Sequence, residues 1–310
     1  MGQSPLSPEV EGTLVTRLDR LHHRINWIPY IFIAPALLII LVISLYPILY
    51  GFYISFTDWY LLKNPDPVWA GLDGYRRLID DPKVWGSLVR TIYWTIGTIV
   101  LEYAIALPLA LLLNRKFFLN GILTGLILLP WVTPSIVAAY TWRWLLDSNY
   151  GIVHSLLHAL GLVGERSLLT EPDRVLPALI VISAWKGAPF MAVALLATLK
   201  SIPGELYEAA AIDGADAWQR FTSITFPLLR QVTVVISLVL GILAFYSFDI
   251  VWVLTKGGPS DASQLIGVYL FRSFFERLEF SYAATIGVAM LAILVVFSAA
   301  YLRLLPKDKE

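Results

Sequence analysis

The chain of 310 residues has no cysteine, little charge and no surplus of either sign. Without thiols it can form no disulfide, no thiolate metal site and no cysteine nucleophile. Asp, Glu, Lys and Arg make up 15% of it, against roughly 25% of an ordinary soluble domain. That scarcity argues against a freely soluble globule. Basic and acidic residues number 23 each, so no cationic excess points to nucleic acid. There is no G-x-x-x-x-G-K-[ST] run, hence no phosphate-binding loop, and no nucleophile elbow with a supporting carboxylate pattern. No His/Asp/Glu spacing suggests a metal site. His22-His23 lie outside the apolar runs, and His154 and His158 lack a third ligand and read as a solvated loop helix.

What the chain has in abundance is apolar: 57% of the residues. A helix crosses a hydrocarbon core in about 20 residues. Six runs of that length occur, at about 29–56, 88–113, 121–146, 175–199, 231–254 and 282–305. The expected fold is therefore an all-α, polytopic membrane protein with six transmembrane helices over 28–305. A leader at 1–27 carries Arg17, Arg20 and Arg24, and a tail follows at 306–310. The first run is too long, and its leader too polar, for a cleavable signal peptide. With both termini cytoplasmic, the inner segments hold eleven Lys/Arg and the outer ones nine, a bias in the positive-inside direction. Pro and Gly recur inside the runs (Pro35, Pro47, Pro108, Pro130, Pro134, Gly187, Pro189, Gly241). Such breaks are tolerated where protein or a cavity surrounds them, and they read either as ordinary kinks or as broken helices beside a substrate path.

Segment 200–230 reads KSIPGELYEAAAIDGADAWQRFTSITFPLLR. It predicts two short helices joined by a corner. Ser201 can cap the first, and Pro203 suits its first turn. Gly214 ends it, being tolerant of the left-handed conformation. Asp213 can cap a second helix holding Trp218, Phe221 and Ile224, and Pro227 closes the segment. Three alanines beside two glutamates make a poor lipid anchor but a flat docking surface.

Glu208-Ala209-Ala210, Asp213-Gly214-Ala215, Ile224 and Pro227 resemble the EAA motif of ATP-binding-cassette importer permeases. Leu254-Thr255-Lys256-Gly257-Gly258-Pro259 resembles the L-T-x-G-G-P run of sugar permeases, and Trp69 to Tyr75 their G-L-x-N-Y loop, with Gly74 in place of Asn. The likeness spans about 28–303 and is similar to the larger-type subunit of maltose, trehalose and glycerol-phosphate importers. It implies the MalF/MetI-like permease fold in a bacterial or archaeal inner membrane. It also implies a cytoplasmic coupling knuckle formed by Glu208, Ala209, Ala210, Asp213 and Gly214. The implied partners are a second permease subunit, two ATPase subunits and an extracytoplasmic sugar-binding protein, met by outer loops 57–87, 147–174 and 255–281. ATP and Mg2+ would be held by the ATPase, with no cofactor in this chain, which would not itself be an enzyme.

Three charges fall within the runs: Glu102, Lys186 and Asp249. Each reads either as a substrate or relay group or as an interhelical partner. Aromatic and polar residues gather at 130–135, 185–190 and 245–249, which are expected to interrupt or mark the third, fourth and fifth crossings. Sugar sites need both kinds of group. By resemblance, the substrate contacts fall on Trp131, Ser135, Ser183, Lys186, Gly187, Phe190, Leu243, Ala244 and Ser247. The maltose-type asparagines are replaced by Ser183, Ala244 and Ser247, and an apolar residue by Lys186, which points away from maltose itself. A lysine there can grip a hydroxyl, or neutralise a phosphate, sulfonate or carboxylate on an anionic sugar or glycerol derivative. Two other classes compete: an ion-driven secondary transporter using Glu102 and Asp249, and a membrane-embedded enzyme, for which no catalytic constellation is visible.

Overall fold

A computed structural model describes residues 27–115 and 118–303. The leader, Trp27 apart, and the tail at 306–310 lie outside those described residues. The chain divides into two units, one ending at Tyr53 and one beginning at Ile54.

In the first unit, α1 (Trp27–Ile40) runs through a π-helical turn, Leu41–Leu45, into α2 (Tyr46–Ser55), whose last two residues belong to the second unit. Side chains from Tyr30 to Tyr50 are exposed on every face. A helix that is apolar all round has no water-facing side, so its proper surroundings are lipid or another protein.

The second unit opens on a minimal hairpin, β1 (Thr57–Asp58) antiparallel to β2 (Val68–Trp69), with Thr57 opposite Trp69. Eleven α-helices follow among the described residues, with Ala217–Phe245 counted as one. They are α3 (Asp73–Asp80), α4 (Pro82–Leu113), α5 (Asn120–Val132), α6 (Ser135–Leu145), α7 (Ile152–Ala159), α8 (Pro172–Ser201), α9 (Gly204–Ile212), α10 (Ala217–Phe245), α11 (Asp249–Thr255), α12 (Ile266–Phe271) and α13 (Phe280–Leu302). Tyr30–Ser55, α4, α8, α10 and α13 are each long and apolar enough to cross a membrane, and α5 with α6 makes a sixth span if the bent pair is one crossing.

The core forms where α4 and α8 pack side by side. At one end Ala106, Ala110 and Leu113 meet Met191, Ala192, Leu195 and Leu199; at the other Trp94 joins Val175, Leu179 and Ile182. Lipid tails are as apolar as leucine, so small residues that let backbones approach supply much of the association in a membrane. Gly97 shows this: a Cβ there would lie 3.0 Å from the Ile180 side chain. A third cluster, with Val84, Tyr269, Tyr282 and Ile286, fixes α12 and α13 against the start of α4.

The third crossing is bent by 92° between α5 and α6, at the interruption expected for 130–135. Two other stretches differ from the expected pattern. The fourth is not interrupted: α8 is continuous through Pro177 and Pro189. A proline inside a membrane helix forfeits one backbone bond and leaves a carbonyl that its surroundings can satisfy, and Ala188 and Pro189 are buried among neighbours. The fifth does not start near 231, nor does it run to 254. Its helix begins at Ala217, absorbs a π turn at Phe221–Thr225 and stops at Phe245. Phe226 N–H bonds back to Phe221 O, one residue further than in an α-helix. That slip leaves a carbonyl unbonded in any case, so Pro227 is accommodated without ending the helix.

Candidate functional site

The bend in the third span has a local cause. A residue before proline is pushed out of the helical region, and Thr133 is extended at φ −63°, ψ 128°. The ladder of α5 ends with Thr133 N–H on Leu129 O, and Thr133 Oγ1 also donates to Leu129 O at 2.8 Å. The Trp131 carbonyl thereby loses its usual partner four residues on. Lys186 of α8 reaches it, with Nζ 3.4 Å from the oxygen.

Lys186 and Phe190 are one turn apart on α8 and so share a face. The Phe190 ring stacks on Trp131, with centroids 4.9 Å apart and planes at 11°. Trp131 remains 44% exposed. An aromatic shelf with an ammonium at its edge thus joins two spans. Asp249, exposed in the first turn of α11, is near enough for its charge to act on Lys186, and the two form no ion pair among the described residues.

The other expected contacts spread around this shelf. Gly187 faces α4, where a Cβ would collide with the Glu102 carboxylate. Glu102 is 5% exposed. Ser183 is half-buried one turn earlier on α8, and Ser135 is half-buried at the start of α6. Leu243 is exposed at the end of α10, while half-buried Ala244 packs on the core around Trp94. The fifth span breaks at Tyr246–Phe248, which places Ser247 in the break. The Ala244 carbonyl accepts from Trp94 Nε1 at 3.1 Å. Trp131 is therefore in contact with both Lys186 and Phe190, and Ser135, Ser183, Leu243, Ala244 and Ser247 are not joined to them by any hydrogen bond among the described residues.

The elbow at 200–230 is built differently from the expectation at both caps. Ser201 Oγ donates to Thr198 O at 2.8 Å inside the last turn of α8, and α9 starts only at Gly204, after Pro203. Asp213 is the C-cap of α9, its N–H bonding to Ala209 O, and does not cap the next helix; Asp216 caps α10, in a reciprocal box with Gln219. The D-x-x-Q spacing at 216–219 is the sequence signal for that box. Gly214 does turn left-handed at φ +80°. Its N–H bonds to Ala211 O and that of Ala215 to Ala210 O, the double closure expected of a glycine-terminated helix. Glu208, Ala209, Asp213 and Gly214 are exposed and Ala210 is half-buried. Ile212 is 87% and Trp218 71% exposed, so an apolar rim flanks the knuckle. Tyr207 Oη and Thr225 Oγ1, 3.0 Å apart, tie α9 to α10.

At the opposite ends of the spans lies a node that the sequence did not announce. Asp81 Oδ2 accepts from Tyr269 Oη at 2.6 Å and Tyr282 Oη at 2.7 Å, while Oδ1 takes the Lys83 N–H. Arg77 lies 3.9 Å over the Tyr282 ring and is paired with Glu279 at 2.9 Å. Burial pushes the Asp81 carboxyl up, but the two tyrosine hydroxyls, the amide and the Arg77 charge outweigh it and hold it below its ordinary value. Ser281 Oγ further joins Thr57 Oγ1 and the Trp59 N–H. The loops at 57–87 and 255–281 therefore form one braced structure. Gly257 shows why its loop is glycine-rich: at φ +87° a Cβ would sit 3.1 Å from Val268.

Residues 103–307 match the family described as binding-protein-dependent transport system inner membrane component. The chain belongs to that family. It is 33% identical to the trehalose/maltose transport system permease protein of Thermococcus litoralis, over 92% of this chain and 96% of that one. It is 32% identical to the sulfoquinovosyl glycerol transport system permease protein of Agrobacterium fabrum, over 88% of each. A bacterial ABC transporter that imports the acidic polysaccharide alginate includes a chain of the same fold, with a TM-score of 0.76 at 22% identity over 96% of this chain and 100% of that one. The all-α fold is thus that of importer permeases. This family member is a permease subunit of an ABC importer and not an enzyme, an inner-membrane component that works with an ATPase and a substrate-binding protein.

Proposed function

We propose that this permease passes a carbohydrate or carbohydrate derivative, paired with a second permease subunit, two ATPase subunits that bind ATP and Mg2+, and an extracytoplasmic sugar-binding protein. Both termini are cytoplasmic on this reading, and the knuckle at Glu208, Ala209, Ala210, Asp213 and Gly214 docks on an ATPase subunit. The observation that carries the substrate class is the shelf of Trp131 on Phe190 with Lys186 at its rim. Ring faces pack on the C–H surface of a sugar while polar groups take its hydroxyls. Ser135, Ser183 and Ser247 supply hydroxyls, and Gly187, Leu243 and Ala244 supply shape. The relatives that transport trehalose/maltose and sulfoquinovosyl glycerol support the same class.

Lys186 favours a second reading within that class. Its ammonium has three donors and one distant acceptor, the Trp131 carbonyl at 3.4 Å, so most of its capacity is left for an anionic group on the substrate. The test is uptake by the reconstituted importer, with the cognate binding protein loaded with neutral or anionic sugars. Binding-protein-stimulated ATP hydrolysis and uptake of a sugar are expected. Lys186→Met should abolish uptake of an anionic derivative and weaken that of a neutral one; equal uptake of both by the variant removes Lys186 from recognition. Gradient-driven uptake by the purified chain alone would overturn the importer reading.

A further inference from the structure

Beside the elbow, a groove of about 770 Å³ opens between the end of α4, the end of α8, α9 and the start of α10. α4 and α8 finish here, and α10 begins here. The groove therefore lies where three membrane helices meet the aqueous boundary, whichever face of the membrane that is. Its lining changes character along its length. Pro108, Leu111 and Leu112 form the part nearer the middle of α4, and Asn114, Arg115, Tyr207 and Arg220 the part at its end. The π turn of α10 puts both Phe221 and Thr225 on the wall.

The charges along this wall are all of one sign. No Asp or Glu is among the lining residues, and neither Arg115 nor Arg220 forms an ion pair among the described residues. Arg220 Nε donates only to a backbone oxygen, that of Asp216, at 3.3 Å. Two guanidiniums without counter-ions, above an apolar trough at the membrane boundary, match a ligand that is anionic at one end and aliphatic at the other. Guanidinium groups present a planar fork suited to phosphate oxygens, and basic pockets between membrane helices suit anionic lipid headgroups.

We propose that this groove binds an anionic phospholipid, with the phosphate on Arg115 and Arg220 and an acyl chain along Pro108, Leu111 and Leu112. The lipid would touch Tyr207, whose hydroxyl braces α9 against Thr225, and so would stiffen the knuckle from behind. That last consequence rests on the coupling role proposed above, whereas the site itself does not.

The test uses the complete importer in nanodiscs of phosphatidylcholine with or without phosphatidylglycerol. Retained lipid is identified by native mass spectrometry. Wild type is expected to keep phosphatidylglycerol in preference to phosphatidylcholine. Arg115→Gln and Arg220→Gln should each lower that retention about fivefold, and the pair about 25-fold, while Arg→Lys at either site keeps most of it. Equal retention by wild type and the double glutamine variant overturns the proposal. Displacement of the lipid by inorganic phosphate alone overturns it too, in favour of a free-anion site. Retention by the isolated chain but not by the assembled complex overturns it in favour of an acidic segment of the ATPase. Stimulated ATP hydrolysis in the same discs reads the importer assignment separately: its absence alongside normal lipid retention would sink that assignment and leave the groove standing.

Discussion

Gly187→Ala tests whether the second and fourth spans are held in register by one close contact. The added Cβ would collide with the Glu102 carboxylate, which is buried and has no hydrogen-bond partner in this chain among the described residues. Forcing atoms into a packed interior costs about 1–3 kcal/mol. Alanine in a helix returns up to ~1 kcal/mol relative to glycine. The carboxylate ends a flexible side chain, but it is buried and has to be displaced, so a net loss of up to about 2 kcal/mol is expected. Glu102→Ala alone should be close to neutral, because the packing it loses is offset by no longer burying a polar group without a partner. Combining the two removes the collision, so the double variant should recover the collision cost itself, about 1–3 kcal/mol, relative to the sum of the singles. The assay is reversible unfolding of the assembled importer in mixed micelles, for wild type, both singles and the double. Strict additivity would refute the contact. The position also matters for transport, since Lys186 precedes Gly187 and is drawn to Trp131. A shift of α8 by even part of an ångström would open that long bond, so uptake should fall in Gly187→Ala and return in the double variant.

Asp81→Asn should destabilise the node around it by about 1–2 kcal/mol, from hydrogen bonds to a charged group reduced by solvent screening, read by unfolding with uptake as a control. The same node gives a pH dependence. The Asp81 carboxyl is held below its ordinary value, so its contribution is complete above that ordinary value and is lost as pH falls below it, through the depressed folded value; a wild type and an Asp81→Asn protein that lose stability in parallel below about pH 4 would contradict this assignment. Gly214→Val should uncouple hydrolysis from uptake while the protein still inserts: φ is +80° and nothing lies within 4 Å of a Cβ, so the penalty is backbone strain of about 1–2 kcal/mol, and Gly214→Asn should be milder. Normal uptake by Gly214→Val with its ATPase attached would take the knuckle out of the mechanism. Trp131→Ala should reduce uptake more than Trp131→Phe, because the phenylalanine keeps a ring to stack on Phe190; equal losses would dissociate the shelf from the substrate.

The features legible in the sequence were those fixed by neighbours along the chain. The apolar runs and the left-handed Gly214 depend on residues within a few turns, and so does the bend at Thr133-Pro134. What stayed hidden depended on contacts between distant segments. Pro189 reads as a break in the fourth span, yet α8 stays whole because its surroundings are packed. Pro227 reads as a stop, yet a π turn upstream absorbs it. The Asp81 node joins residues about 190 positions apart, and nothing near Asp81 marks it. The same distinction explains the candidate site. Trp131 and Phe190 look like separate aromatics on separate spans, and only the packing of α5 on α8 stacks the first on the second. The bend at 133–134 strands the Trp131 carbonyl, and Lys186, which reads in sequence as an unexplained membrane charge, is the group that answers it. A charge in the membrane thus has a structural employment and a free valence at once. The two can be separated, because Lys186→Arg keeps a donor for the carbonyl and changes the shape offered to the substrate. Unchanged unfolding with altered substrate preference would assign the lysine to recognition, and the reverse pattern would assign it to the bend.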